Sequence, residues 1–198
     1  MKVDCLSLIK KTAYLTMLIA VLAFSTACSP AHMTVKQENF DIMTVKPAPG
    51  KSALVIARTT SFGGAVNFHT HIERKLIGVT KGKGCLVKND IEPGPKHLIA
   101  RTESLETGKI NFQPDTVYYV QQTPRIGWVV ARVNLTPVSP EHLVSEIGSD
   151  GCTLYEVDPS NPGDDLSEHE YQEAVTDYNR EIKEGLHLDF VNYKGYKK

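Results

Sequence analysis

The 198-residue chain lacks any apolar stretch of the roughly 20 residues that a membrane-crossing helix needs; its apolar run, Thr12 to Ala27, falls short of that. A helical span is thereby excluded. Basic residues are not in excess: 22 Lys and Arg stand against 23 Asp and Glu, for a formal net charge of −1. A nucleic-acid binder needs a basic face to neutralise phosphates, so nucleic acid is not an expected partner. Reaction motifs are missing as well. There is no Gly-x-Ser-x-Gly elbow, and Gly148-Ser149-Asp150-Gly151 reads as a loop. Gly50-Lys51-Ser52 ends like a phosphate-binding loop, but the motif's first glycine would fall at Val45, and a strand rather than a helix follows. Gly82-Lys83-Gly84 lacks the further glycine of a dinucleotide site and reads as a hairpin turn. The acids between Asp158 and Glu168 lack calcium-loop spacing. No enzyme and no cofactor are expected.

Cysteine is also scarce, with four in the chain, and their places are informative. Lys2, Lys10 and Lys11 give a positive start, an uncharged run from Thr12 to Phe24 follows, and Ser25-Thr26-Ala27 puts small side chains before Cys28. This is the pattern of an export signal, predicted over 1–27, with a mature protein beginning at Cys28. The signal carries a local +2 from its three lysines and Asp4, which takes the mature part from −1 to −3. The tail of the signal resembles the lipobox of bacterial lipoproteins, with Ser25 where that family usually has Leu. The resemblance implies a diacylglycerol on the Cys28 thiol. At ~0.8 kcal/mol per buried methylene, two or three acyl chains would hold the protein on a bilayer. Export would place Cys85 and Cys152 in an oxidising compartment, where they are candidates for a disulfide; the alternative for Cys85 is a small buried hydrophobe. Neither has a neighbour in sequence that would activate a thiol.

Residues 28–50, with Ser29-Pro30 and Pro47-Ala48-Pro49-Gly50, show no sustained periodicity and are expected to form a lipid-anchored tether. From Ser52 short β-rich runs take over: 54–58, 66–73, 76–80, 85–88, 97–102, 109–112, 117–122 and 128–135, each bounded by Gly, Pro or Asp clusters. Seven or eight such runs predict an all-β fold, an antiparallel β-sandwich over 51–148. Val66, Phe68, Thr70 and Ile72 alternate with Asn67, His69, His71 and Glu73, so the second set is expected to face water. Residues 149–198 read as a helical C-terminal extension. Its strongest signal starts at Ser167, which with Glu170 forms a capping box, with Leu166 and Tyr171 at the staple positions and Gly185 as the stop.

His69 and His71, two apart on one strand face, are the one local pair that could chelate zinc or copper. A third ligand would have to come from His97, Glu73 or Cys85. A metal-dependent enzyme or metal-binding protein is the alternative reading. For a binding role, the loops around Phe62-Gly63-Gly64 and Arg125-Ile126-Gly127-Trp128 offer an aromatic beside flexible backbone, with core packing of Phe62 and Trp128 as the alternative.

Residues 51–58 (Lys-Ser-Ala-Leu-Val-Ile-Ala-Arg), Ser61-Phe62-Gly63-Gly64-Ala65-Val66, Ile77-Gly78, Glu92-Pro93-Gly94-Pro95-Lys96-His97 and Asp115 to Val120 together resemble the bacterial lipoprotein family called domain of unknown function 2846, over residues 50–137. Pro95 and the C-terminal extension depart from that family's pattern. The resemblance implies a small β-sandwich at the cell envelope with no agreed activity. Ser29 after Cys28 is similar to lipoproteins sorted to the outer membrane, which implies its periplasmic face. Expected partners are the membrane, through the lipid, and an envelope protein, peptide or polymer.

Overall fold

A computed structural model describes residues 32–64, 66–126 and 131–198. It is mostly β, with two sheets and few helices. The described strands are β1 (Met33–Phe40), β2 (Ser52–Arg58), β3 (Phe68–Ile72), β4 (Lys75–Thr80), β5 (Gly84–Ile91), β6 (Gly94–Arg101), β7 (Leu105–Phe112), β8 (Thr116–Ile126), β9 (Ala131–Pro137), β10 (Cys152–Val157) and β11 (Tyr196–Lys197). The larger sheet runs β1-β10-β5-β2-β8-β11, with β9 also paired to β8; the smaller runs β4-β3-β6-β7.

The turn clusters that punctuate the sequence mostly change sheet. The links after β4, β5 and β7, centred on Gly82, Pro93 and Pro114, each carry the chain from one sheet to the other. The expected hairpin at Gly82-Lys83-Gly84 is therefore a corner. True hairpins join β3 to β4 and β6 to β7. The first turns on Glu73, which takes up the left-handed region at φ 53°.

Alternation along the strands sorts side chains onto three apolar layers. Leu54, Ile56, Tyr118 and Val120 of the larger sheet meet Phe68, Leu98, Ala100, Ile110 and Phe112 of the smaller in the shared core. The intervening residues Ala53, Val55, Ala57, Val117 and Tyr119 point the other way, where Ile42, Leu143 and Ile147 cover them. Every residue of β2 is buried, because both its faces are covered and it lies between β5 and β8. On the far face of the smaller sheet, Ile99 packs with Leu166 and Ala174.

Two helices supply those covers. The first, α1 (Pro140–Ile147), is capped by Ser139, whose hydroxyl accepts the His142 N–H at 3.1 Å. The second, α2 (Glu168–Lys183), carries the predicted capping box: the Ser167 hydroxyl accepts the Glu170 N–H and the Glu170 carboxylate accepts the Ser167 N–H. It ends in a Schellman arrangement, with the Leu186 N–H on the Glu181 carbonyl and Gly185 at φ 81°. A single turn, α3 (Leu188–Val191), buries Phe190 against Gly108, where a Cβ would stand 2.5 Å from the ring.

Several expectations are corrected. The tether does not run to residue 50: Met33–Phe40 is β1, paired antiparallel with β10. This edge strand buries only Met33 and exposes most of the rest, so no apolar alternation marks it. The C-terminal 149–198 segment is not only helical, since it supplies β10 and β11. The larger sheet is not purely antiparallel either. β2 runs parallel to β8 and β5 parallel to β10, pairings that join strands far apart in sequence. The predicted strand 128–135 is described as 131–137, and Trp128 lies outside the described residues. Among the described residues no helix is long and apolar enough to cross a membrane.

Candidate functional site

The His69/His71 face is not a solvent face. His71 is wholly buried, with Nε2 3.4 Å from the Asp164 carbonyl oxygen and Nδ1 without a hydrogen-bond partner among the described residues. Burial pushes its pKa down to about 4, so it is a neutral imidazole at physiological pH. His69 is half-buried; burial, and then the nearby Arg101 cation, lowers its pKa. The third ligands considered for a metal are committed elsewhere. Cys85 is joined to Cys152, with Cα atoms 6.0 Å apart across the β5/β10 pair, and His97 is bound to Glu73. Among the described residues no group of three His, Cys, Asp or Glu is placed to hold a metal ion.

Phe62, Gly63 and Val66 are fixed from beneath. Arg58, at the end of β2, has no exposed surface; its Nη1 donates to the Val66 carbonyl at 2.7 Å, and its Nη2 to those of Phe62 and Gly63 at 2.9 and 2.7 Å. Its guanidinium also stacks on Phe68, 4.1 Å from the ring centre. The Phe62 side chain itself stands 54% exposed above this support. Trp128, expected to share that surface, and Cys28, the expected lipid site, lie outside the described residues.

A cluster unforeseen from the sequence sits between the smaller sheet and α2. Glu73, at the β3/β4 turn, accepts the His97 N–H at 3.0 Å through Oε1; Oε2 accepts the Tyr171 hydroxyl and lies 3.3 Å from His97 Nδ1. Burial opposes the Glu73 charge, but the bonds from Tyr171 and His97 outweigh it and hold the carboxyl below its usual range. Burial, then that same bond, pushes the Tyr171 phenol up to about 12. The His97 ring lies edge-on to Tyr171 and Tyr178, and Tyr178 leans on His187, whose Nε2 is 2.7 Å from Glu181. A carboxylate orienting an imidazole is the pairing a general base uses. Here the free nitrogen, His97 Nε2, is buried with no partner among the described residues, and Tyr171 and Tyr178 flank the ring. The arrangement fastens α2 to the sheet.

An open cleft of about 680 Å³ lies where the edge of the smaller sheet meets the C-terminal segment. One wall is β7 and the turn after it, presenting Lys109, Asn111 and Gln113 at every second position; the other is residues 190–197, with Lys194 and Lys197. Its apolar lining includes Tyr178 and Phe190, both almost wholly buried. The facing segment is held by Tyr193, whose hydroxyl accepts the Tyr119 N–H at 2.6 Å and lies 3.2 Å from the Val138 carbonyl oxygen, and by the pairing of β11 with β8. No local pattern in 191–198 reveals that burial, because its partners are Tyr118, Tyr119 and Val138.

Compared with protein families, curated proteins and solved structures, the chain matches none of them.

Proposed function

We propose that this chain is a lipid-anchored cell-envelope protein whose β-sandwich body is a non-enzymatic binding module. The observation that carries the reading is the buried Cys85–Cys152 disulfide, which suits an oxidising compartment and therefore agrees with an export signal ending at Cys28. The resemblance of residues 50–137 to domain of unknown function 2846 points to the same place, the periplasmic face of the outer membrane. β1 begins at Met33, close to the proposed lipid site. Only four residues lie between Cys28 and Met33, a reach of at most about 18 Å. An acylated Cys28 would hold the β1 edge of the larger sheet near the bilayer instead of lifting the body away on a long tether. The side chains with catalytic potential, His71, His97 and Glu73, are spent on packing or on fastening α2, which supports a binding rather than a catalytic role.

Cys28→Ser tests the anchor. In the native host the variant is expected to leave the membrane fraction, while the unaltered protein carries a fatty acyl modification detectable by mass spectrometry of its N-terminal peptide. An uncut leader, or a variant retained in the membrane as before, defeats the proposal. Crosslinking in intact cells then identifies the partner.

A further inference from the structure

We infer that the cleft between β7 and the C-terminal segment binds an acidic glycan, a sugar chain bearing carboxylate or phosphate groups; this rests on the binding-module reading. The mature chain is net acidic, yet the lining of this cleft holds Lys109, Lys194 and Lys197 and no Asp or Glu. Lys109 and Lys194 make no ion pair among the described residues, and Lys197 donates to the Pro114 carbonyl at 2.9 Å. The nearest acids along the chain are engaged with backbone amides: Asp115 accepts the Gly50 N–H at 3.1 Å, and Asp189 accepts the Phe190 N–H at 2.9 Å. Three lysines thus line one opening with no carboxylate among its lining residues. An anion entering there meets cationic side chains and no anionic one.

Neutral groups between the amines narrow the ligand class. Lys109 and Asn111 project from one side of β7 about 7 Å apart, and Gln113 follows in the turn after the strand. Carboxamides both donate and accept, which suits the hydroxyls and acetamido groups of a sugar chain; the amines suit its charges. The volume of about 680 Å³ falls in the range of small-ligand sites. Position favours a free polymer over lipid headgroups. β11 and β1 occupy opposite ends of the path β1-β10-β5-β2-β8-β11, about 24 Å apart at ordinary strand spacing, so the cleft lies at the far edge from the proposed anchor.

The test uses the mature full-length protein in detergent micelles, with binding measured by calorimetry at low salt. The probes are trigalacturonic acid, galactose 6-phosphate and uncharged galactotriose. Binding of either acidic probe, loss of that binding by tenfold or more in Lys109→Gln/Lys194→Gln/Lys197→Gln, and no binding of galactotriose are expected. A control with the same change in charge, Lys75→Gln/Lys83→Gln/Lys183→Gln, should keep affinity within twofold. Absence of binding to both acidic probes, equal loss in the control, or undiminished binding in the cleft variant overturns the inference. Those results leave the binding-module reading standing if cell crosslinking still captures a partner, and remove both if it does not.

Discussion

Breaking the Cys85–Cys152 bridge should cost this protein about 4 kcal/mol. The bond closes a loop of 67 residues between β5 and β10, and the chain-entropy estimate for that length gives ~4 kcal/mol taken from the unfolded ensemble. Both sulphurs lie in the apolar layer under α1, with Cys85 0% and Cys152 3% exposed, so reduction leaves two thiols buried in that layer. For a body of this size each kcal/mol corresponds to ~2–4 °C, which predicts a fall in Tm of about 8–16 °C. Calorimetry of the mature protein with and without a reductant of sufficient strength reads it directly. The Cys85→Ala/Cys152→Ala variant should melt at or slightly below the reduced protein, since it also loses two buried sulphur atoms. Two results would refute the reasoning. One is oxidised and reduced forms melting within ~2 °C of each other, which the loop-entropy term does not allow. The other is protein taken from the native envelope and unfolded without reductant showing both thiols free, which would also remove the main support for an exported body.

Arg58→Met should destabilise by about 3 kcal/mol, because three carbonyls of the 61–66 loop lose a charged donor. Faster chymotrypsin cleavage after the exposed Phe62 and a lower urea midpoint would register it. Arg58→Lys should not restore the loop, since an ammonium lacks the planar fork that spans those carbonyls. His71 makes stability depend on pH with a definite sign. Its folded pKa, about 4, lies below the unfolded value near 6.5, so between them the unfolded chain binds the extra proton. Stability is then full above that window and falls by up to ~3 kcal/mol as pH drops through it. Tm measured from pH 7 to pH 4 should show that decline, and His71→Gln should flatten it; an unchanged slope would mean His71 is not buried neutral.

Local signals were legible wherever neighbouring residues decide the structure. The Ser167/Glu170 capping box, the Gly185 stop and the apolar runs of β2, β6 and β8 need only short-range chemistry, and each stands in the fold. The candidate site was legible only in fragments. His69, His71, His97 and Glu73 were visible as titratable residues, yet the partners that define them, Asp164, Tyr171 and α2, come from elsewhere in the chain. Their alternation suggested a face toward water because a two-residue period records which side a residue takes, and is blind to what covers that side.

By itself the sequence determined that the chain is rich in short strands, that a capped amphipathic helix follows, and that a leader-like segment precedes Cys28. Only tertiary structure decided that β1 and β10 join the larger sheet, that β2 lies parallel to β8, and that three lysines converge on one cleft. The reason is range. Caps, turns and strand propensity are set by contacts within a few residues, whereas pairings such as Met33 with Val157 or Tyr196 with Val117 form where burial of the assembled layers repays the cost of closing long loops.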